Sequence, residues 1–299
     1  MEHPKHNHDE KEFRFVSFRG IETKIWIESD RIDACMEQVG KRNLQGIAVS
    51  PLDGFFKNDS LDFLEQYPSI ESLTVLHAEM VDVSAINRLP KLRHLQLSGK
   101  AKQIVDLGNF PFLEEIYVHW WPKLILDSTV KSLRVLSLSH YGAKQRGLAD
   151  LPEFPRLEDL QLIQSSISDL SGIDQFPGLQ RLALYYLPKL ENLTPLAAVS
   201  WQCLKTLEFG NCPNIANHAQ VAAIQCLRVL RFNHCGTLPS LGFLDEMPSL
   251  ESFAFVGTNV VDGDLSPCLR LKAVGFLDKR HYSHRSEDFP ATRATRTFS

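Results

Sequence analysis

Hydrophobic and polar residues alternate along this chain in one short phrase, written many times over. Leu157-Glu158-Asp159-Leu160-Gln161-Leu162 returns as Leu179-Gln180-Arg181-Leu182-Ala183-Leu184, and again as Leu204-Lys205-Thr206-Leu207-Glu208-Phe209. Apolar groups at the fourth and sixth positions, with polar ones between, predict a short strand that buries one face. The phrase begins at Leu44, Ile70, Leu92, Leu113, Leu133, Leu157, Leu179, Leu204, Leu227, Leu250 and Leu271. The ten steps average about 22.7 residues, a period that marks a solenoid of stacked coils.

A second signature precedes each strand. Three positions upstream stands a bulky apolar residue (Tyr67, Leu89, Phe110, Val130, Phe154, Phe176, Trp201, Ile224, Met247), often followed at once by proline, as at Pro90, Pro111 and Pro177. Six positions upstream lie Leu64, Ile86, Leu107, Leu151, Ile173, Val221 and Leu244. These positions cannot share one helical face. They suit a coil that turns through a short helix, breaks at proline and enters a strand. Each buried side chain contributes roughly 1.5–3 kcal/mol. One unit cannot offset its own ordering entropy, so stability has to come from stacking.

The ends read differently. Residues 1–12 are polar and predict a disordered arm, in which His3, His6 and His8 are solvated. Residues 13–43 predict an α/β N-terminal cap. Two alternating segments, Phe13 to Phe18 and Lys24 to Glu28, turn at Gly20, and Ile32, Cys35, Met36 and Val39 then fall at helical spacing up to Gly40. Residues 44–280 form the solenoid of about eleven units, and 281–299 the end of a C-terminal cap and a loose tail. The spacing is expected to fail from Val260 through Leu265 to His284.

At 43% hydrophobic and 23% charged, with a formal net charge of −4, the composition is that of an ordinary globular chain. The mild acidic excess offers no basic face for a nucleic-acid backbone. No run reaches the ~20 apolar residues of a membrane helix. The polar start lacks a secretory leader, so the expected location is the cytoplasm. Two cysteine pairs, Cys203/Cys226 and Cys212/Cys235, each recur after one repeat length. Successive coils bring such residues within about 4.7–4.9 Å, within reach of a disulfide. In a reducing compartment they are expected instead to fill a core ladder as small apolar side chains.

Phe176-Pro177-Gly178-Leu179 with Leu182 and Leu184, preceded by Ile173, resembles the short-repeat leucine-rich proteins of the SDS22-like and internalin-like type, over about residues 60–280. The resemblance implies a curved α/β solenoid with one continuous parallel sheet on its concave side and caps at both ends. The C-terminal ending also resembles that of bacterial cytosolic leucine-rich-repeat proteins. One departure stands out. The ninth repeat position, usually asparagine in that family, is here Ala78, Lys100, Trp121, Tyr141, Ser165, Leu187, Cys212, Cys235 or Thr258. The asparagine ladder that satisfies the turn backbone is therefore missing.

Strand alternation sends the third, fifth and seventh positions to the concave side and leaves the eighth at its edge. The first units carry small residues there (Gly46, Ala48, Ser50, Ser72, Thr74), and so do the last (Ser252, Ala254, Ala273, Gly275). The middle carries Glu115, Tyr117, His119, Trp120, His140, Asp159, Gln161, Gln164, Arg181, Tyr185, Tyr186, Glu208, Arg231 and His234. Aromatic residues and arginine among acids are the stuff of protein interfaces. The alternative is a solvated sheet face. Tyr185 and Tyr186 are consecutive and cannot share a face. A metal-assisted hydrolase would use Glu115 with His119 and His140, or His94 with them, yet an open sheet lacks the pocket that such chemistry needs. The expectation is therefore a non-enzymatic, monomeric module, without cofactor, that binds a protein through its central concave face. Toxin neutralisation and adaptor work are the suggested roles, with a regulatory scaffold for a cellular enzyme as the alternative.

Overall fold

The computed structural model describes residues 13–18, 21–52, 54–142 and 144–289. The arm at 1–12 with its histidines, the Gly20 turn and the tail at 290–299 lie outside these residues.

Among the described residues thirteen strands form a single sheet. Two come from the N-terminal segment: β1 (Phe15–Phe18) and β2 (Ile21–Trp26). Eleven follow, one per repeat: β3 (Gly46–Val49), β4 (Ser72–Val75), β5 (His94–Leu97), β6 (Glu115–His119), β7 (Val135–Ser139), β8 (Asp159–Ile163), β9 (Arg181–Tyr185), β10 (Thr206–Gly210), β11 (Val229–Asn233), β12 (Ser252–Ala254) and β13 (Ala273–Gly275). The sheet is continuous but not wholly parallel, because β1 runs antiparallel to β2. That pair comes from a local hairpin, whereas every later strand returns over a crossover and pairs in parallel.

The leucines line up as rungs. Leu136, Leu160, Leu182, Leu207 and Leu230 are direct neighbours across five strands, and all are fully buried. Beneath them the coils return through short 3-10 turns such as Asp62–Gln66, Ser84–Arg88 and Gly242–Glu246. The return stays tight because the upstream apolar pair and the proline leave no room for a longer helix. The returns also carry two short parallel pairs, Val105–Asp106 with Leu124–Ile125 and Thr237–Leu238 with Asn259–Val260, a four-residue α-turn, Thr194–Ala197, and, ahead of the repeats, the amphipathic helix α1 (Ile32–Lys41). Ile32, Met36 and Val39 lie half-buried against the first coils and Cys35 is fully buried.

Three expectations are corrected. The repeat does not fail at Val260: Val260, Leu265 and Cys268 are buried as in any other coil, and departure begins only after Phe276. There Phe276, Tyr282 and Phe289 close the apolar end, with rings 5.6–5.9 Å apart. At the ninth position of the third coil Ala101 is buried rather than the exposed Lys100. Of the cysteines, Cys212 and Cys235 are fully buried, but Cys203 is exposed and Cys226 half-buried. They precede the strand's first inward leucine, where side chains lie at the rim.

The ninth-position ladder is rebuilt from mixed side chains. The Ser165 hydroxyl accepts from the Tyr141 amide (3.2 Å) and donates to the Ile163 carbonyl (3.3 Å). Thr258 does the same between the Cys235 amide (2.8 Å) and the Phe232 carbonyl. The Trp121 indole donates to the Gln103 carbonyl (2.9 Å), and the Cys212 thiol lies 3.5 Å from the Leu184 carbonyl. Short hydroxyl and thiol groups thus reach some of the turn carbonyls and amides that asparagine would serve.

Candidate functional site

Three rows of side chains leave the core on the concave side. The third-position row runs Glu115, Val135, Asp159, Arg181, Thr206, Val229. The fifth runs Tyr117, Ser137, Gln161, Ala183, Glu208, Arg231, and the seventh His119, Ser139, Ile163, Tyr185, Gly210, Asn233. Neighbours in a row come from adjacent coils, about 4.8 Å apart, so long side chains touch across them.

At the N-terminal end this face is covered. Ala48 is fully buried and Ser50, Ser72 and Thr74 nearly so. Lys24, in register with Gly46, reaches past the next strand, and its ammonium donates to Thr74 Oγ1 at 2.7 Å. Trp26 is paired with Ala48 and stacks on Phe55, with centroids 6.2 Å apart. Burial lowers the Lys24 pKa, against the opposing pull of Glu115. The small residues of the first coils are therefore the floor beneath a lid supplied by β2, not a bland open surface.

In the centre, acids and bases face one another. Arg181 Nη1 lies 3.0 Å from Asp159 Oδ1, and Arg181 Nε lies 3.2 Å from Glu208 Oε1. Arg231 Nη1 reaches Glu208 Oε2 at 3.1 Å, and the Tyr185 hydroxyl donates to the same oxygen at 2.7 Å. The Glu208 side chain is only 12% exposed. Burial alone would raise its pKa, but the Tyr185 hydroxyl and the two guanidiniums together hold it below the usual carboxylate value. Asp159, with Arg181 as its close cation, is raised by burial. The Tyr185 ring lies against Gly210, where a Cβ would meet it at 2.7 Å. Asp159, Arg181, Tyr185, Glu208 and Arg231 thus satisfy one another, and their charges are not free for a partner.

The open groups lie beside this row. Tyr117 is 40% exposed, with its hydroxyl 3.4 Å from Glu115, and burial beside that carboxylate pushes its pKa up to about 12. His119 and His140 stack nearly parallel, with centroids 4.2 Å apart. Burial, then His140 and Lys100, lower the His119 pKa. Trp120 packs edge-on to Tyr141 at 5.9 Å and rests on Gly142, where a Cβ would stand 3.0 Å from its ring. Gln161 accepts from the Ser137 hydroxyl at 3.0 Å.

The eighth position has a conformation of its own. His77, His140, Gln164, Tyr186, Asn211 and His234 all have φ between +51° and +58°. From His140 to His234 the amide still donates to the seventh-position carbonyl of the next coil, at 2.8–2.9 Å. The ladder gains a rung while the side chain swings to the trailing edge. This separates the consecutive tyrosines: Tyr185 folds over Glu208, whereas Tyr186 stands 53% exposed. Alternation alone gives no signal for that left-handed step.

The proposed metal cluster does not converge. His94 lies 4.0 Å from Glu115, while His119 and His140 are occupied with each other. Among the described residues no three His, Cys, Asp or Glu side chains are placed to hold a metal.

No family model matches the chain, and no curated protein matches it in sequence. Its fold is matched by solved structures. An internalin of Listeria monocytogenes aligns at a TM-score of 0.54 and 16% identity, over 90% of this chain and 86% of the other. A leucine-rich-repeat protein of Leptospira interrogans aligns at 0.43 and 18%, over 79% and 72%. The chain is a curved leucine-rich-repeat solenoid, as its sheet and rungs require. No helix among the described residues is long and apolar enough to cross a membrane.

Proposed function

We propose that this chain is a non-enzymatic module that docks a protein partner on its concave face, anchored by Tyr117, His119, Trp120 and His140. The observation that supports this is the contrast along one sheet. The first coils are covered by Lys24 and Trp26, whereas in the fourth and fifth Tyr117 stands exposed beside the stacked His119 and His140 and a half-buried Trp120. Aromatic anchors with a polar surround are what a desolvated interface centre uses. The row from Asp159 to Arg231 forms a self-neutralised floor beside it, and Glu115, Gln161, Tyr186 and His234 form the rim. The suggested setting is the cytoplasm, with the chain acting as a monomer on a toxin to be neutralised or as an adaptor. The pairing of Arg181 and Arg231 with Asp159 and Glu208 supports a protein rather than a nucleic-acid backbone as the partner.

The test is a pull-down from native extract, followed by titration of the purified partner against Tyr117→Ala/Trp120→Ala. The expected loss is roughly 100-fold or more in affinity, the scale of two hot-spot truncations. An unchanged affinity in a folded double variant rejects the central face.

A further inference from the structure

A different face carries a second site. The second position of each repeat lines the edge where the strands begin, and from Glu71 to Glu158 its charges alternate. Arg93 lies between Glu71, at 3.6 Å, and Glu114, with which it forms a close ion pair, and Arg134 pairs with Glu158 at 2.8 Å. Past Gln180 the alternation stops. Lys205 and Arg228 stand on adjacent coils, and the two coils after them bring Glu251 and Lys272. The side chains here line a cavity of about 440 Å³, joined by Arg270 and the Cys226 thiol. Four cations face a single carboxylate.

That carboxylate is shared. Glu251 lies 3.6 Å from Arg228 and 3.2 Å from Lys272, in exposed pairs that are weak and exchangeable. Among the described residues no carboxylate pairs with Lys205. Arg270 is held in place from behind: its Nη2 donates to the Leu244 carbonyl and, at 3.0 Å, to the Met247 carbonyl. Its other guanidinium donors remain for a ligand. A fixed guanidinium, a second arginine and two lysines around a concavity present converging donors and unbalanced positive charge.

The geometry points to an anion-binding site at this edge, for a small molecule bearing phosphoryl groups. Two features favour phosphoryl chemistry over a lone carboxylate. The excess positive charge matches a multiply charged anion, and forked arginine donors match tetrahedral oxygens in pairs. The cavity exceeds the size of one phosphate, so the ligand extends beyond its charged group. The site lies on the starting edge of the strands, apart from the proposed docking face, and does not depend on that reading.

Isothermal titration of the full chain with pyrophosphate, at low and fixed ionic strength, tests this. Saturable one-to-one binding is expected. Lys205→Gln and Arg228→Gln should each raise Kd about 10-fold or more, the loss of one charge-assisted contact. Arg93→Gln, on the same edge but among its own acids, should leave Kd unchanged. Thermal melts establish that each variant is folded. Should Arg228→Gln unfold, Lys272→Gln replaces it, since that side chain is 75% exposed. The site is rejected if pyrophosphate gives no more heat than sodium chloride at equal ionic strength. It is also rejected if the pocket variants bind as well as the unmodified chain, or if Arg93→Gln weakens binding as much as they do.

Discussion

The first two coils and the middle ones present the same sheet face with opposite consequences. In the first, side chains at the outward positions are almost absent, and Lys24 and Trp26 lie across the gap. In the middle, Arg181, Tyr185 and Glu208 are long enough to reach their neighbours, and Tyr117 remains open. Small residues therefore do not mean an unused surface, and charged residues do not mean an available one. What matters is whether the adjacent coil completes the contact.

The sharpest test of the contrast is affinity. Tyr117→Ala/Trp120→Ala should cost roughly two orders of magnitude, and a substitution under the Lys24 and Trp26 lid should leave the partner bound as before. Gly46→Ala is that substitution. A Cβ there would stand 1.8 Å from the Ser72 carbonyl oxygen, so β3 and β4 must separate. It should cost about 3 kcal/mol, the upper range for overpacking, read as a lower urea midpoint.

Next in size is Glu208→Gln, which removes charge from both guanidinium contacts but keeps the Tyr185 hydrogen bond. The expected cost at pH 7 is about 1–2 kcal/mol. Its pH dependence has a definite sign. Glu208 is held below its unfolded pKa, so its contribution is complete above about 4.3 and is lost as pH falls through the lower folded value. Asp159, raised by burial, pulls the other way. The difference between Glu208→Gln and the parent chain, measured by denaturation from pH 7 to 3, reads the Glu208 part together with a smaller change at Asp159, whose pKa the Glu208 charge helps to raise.

The smallest effect is local. His119 should titrate below the ordinary value of about 6.5, and His140→Ala should raise its midpoint by removing a like charge and opening the ring to water. Proton NMR of the imidazole resonances reads this directly. A His119 midpoint that does not move would mean the stacked pair is not coupled.

Much of the architecture was legible because each coil repeats the same local rule. Leu160, Leu182 and Leu207 announced their rungs through spacing alone, and the inward residues from Ile70 to Leu271 are buried as expected. The candidate face was legible as a set of outward positions, but not as a set of free groups. Arg181 read as an interface arginine, yet Asp159 and Glu208, one coil away on either side, claim its donors. The antiparallel β1 and the reach of Lys24 over Thr74 were likewise hidden, because neither belongs to the repeat.

By itself the sequence determined the period, the buried stripe and therefore the stacking, since these follow from side-chain polarity at fixed spacing within one coil. Only the tertiary structure decided which outward side chains stay open. That depends on distances of a few ångströms between residues some 22 positions apart in the chain, and on a left-handed step at the eighth position that turns Tyr186 and His234 to the edge. A repeat specifies the leucine rungs of its interior, whereas its turns and its surface are finished by its neighbours.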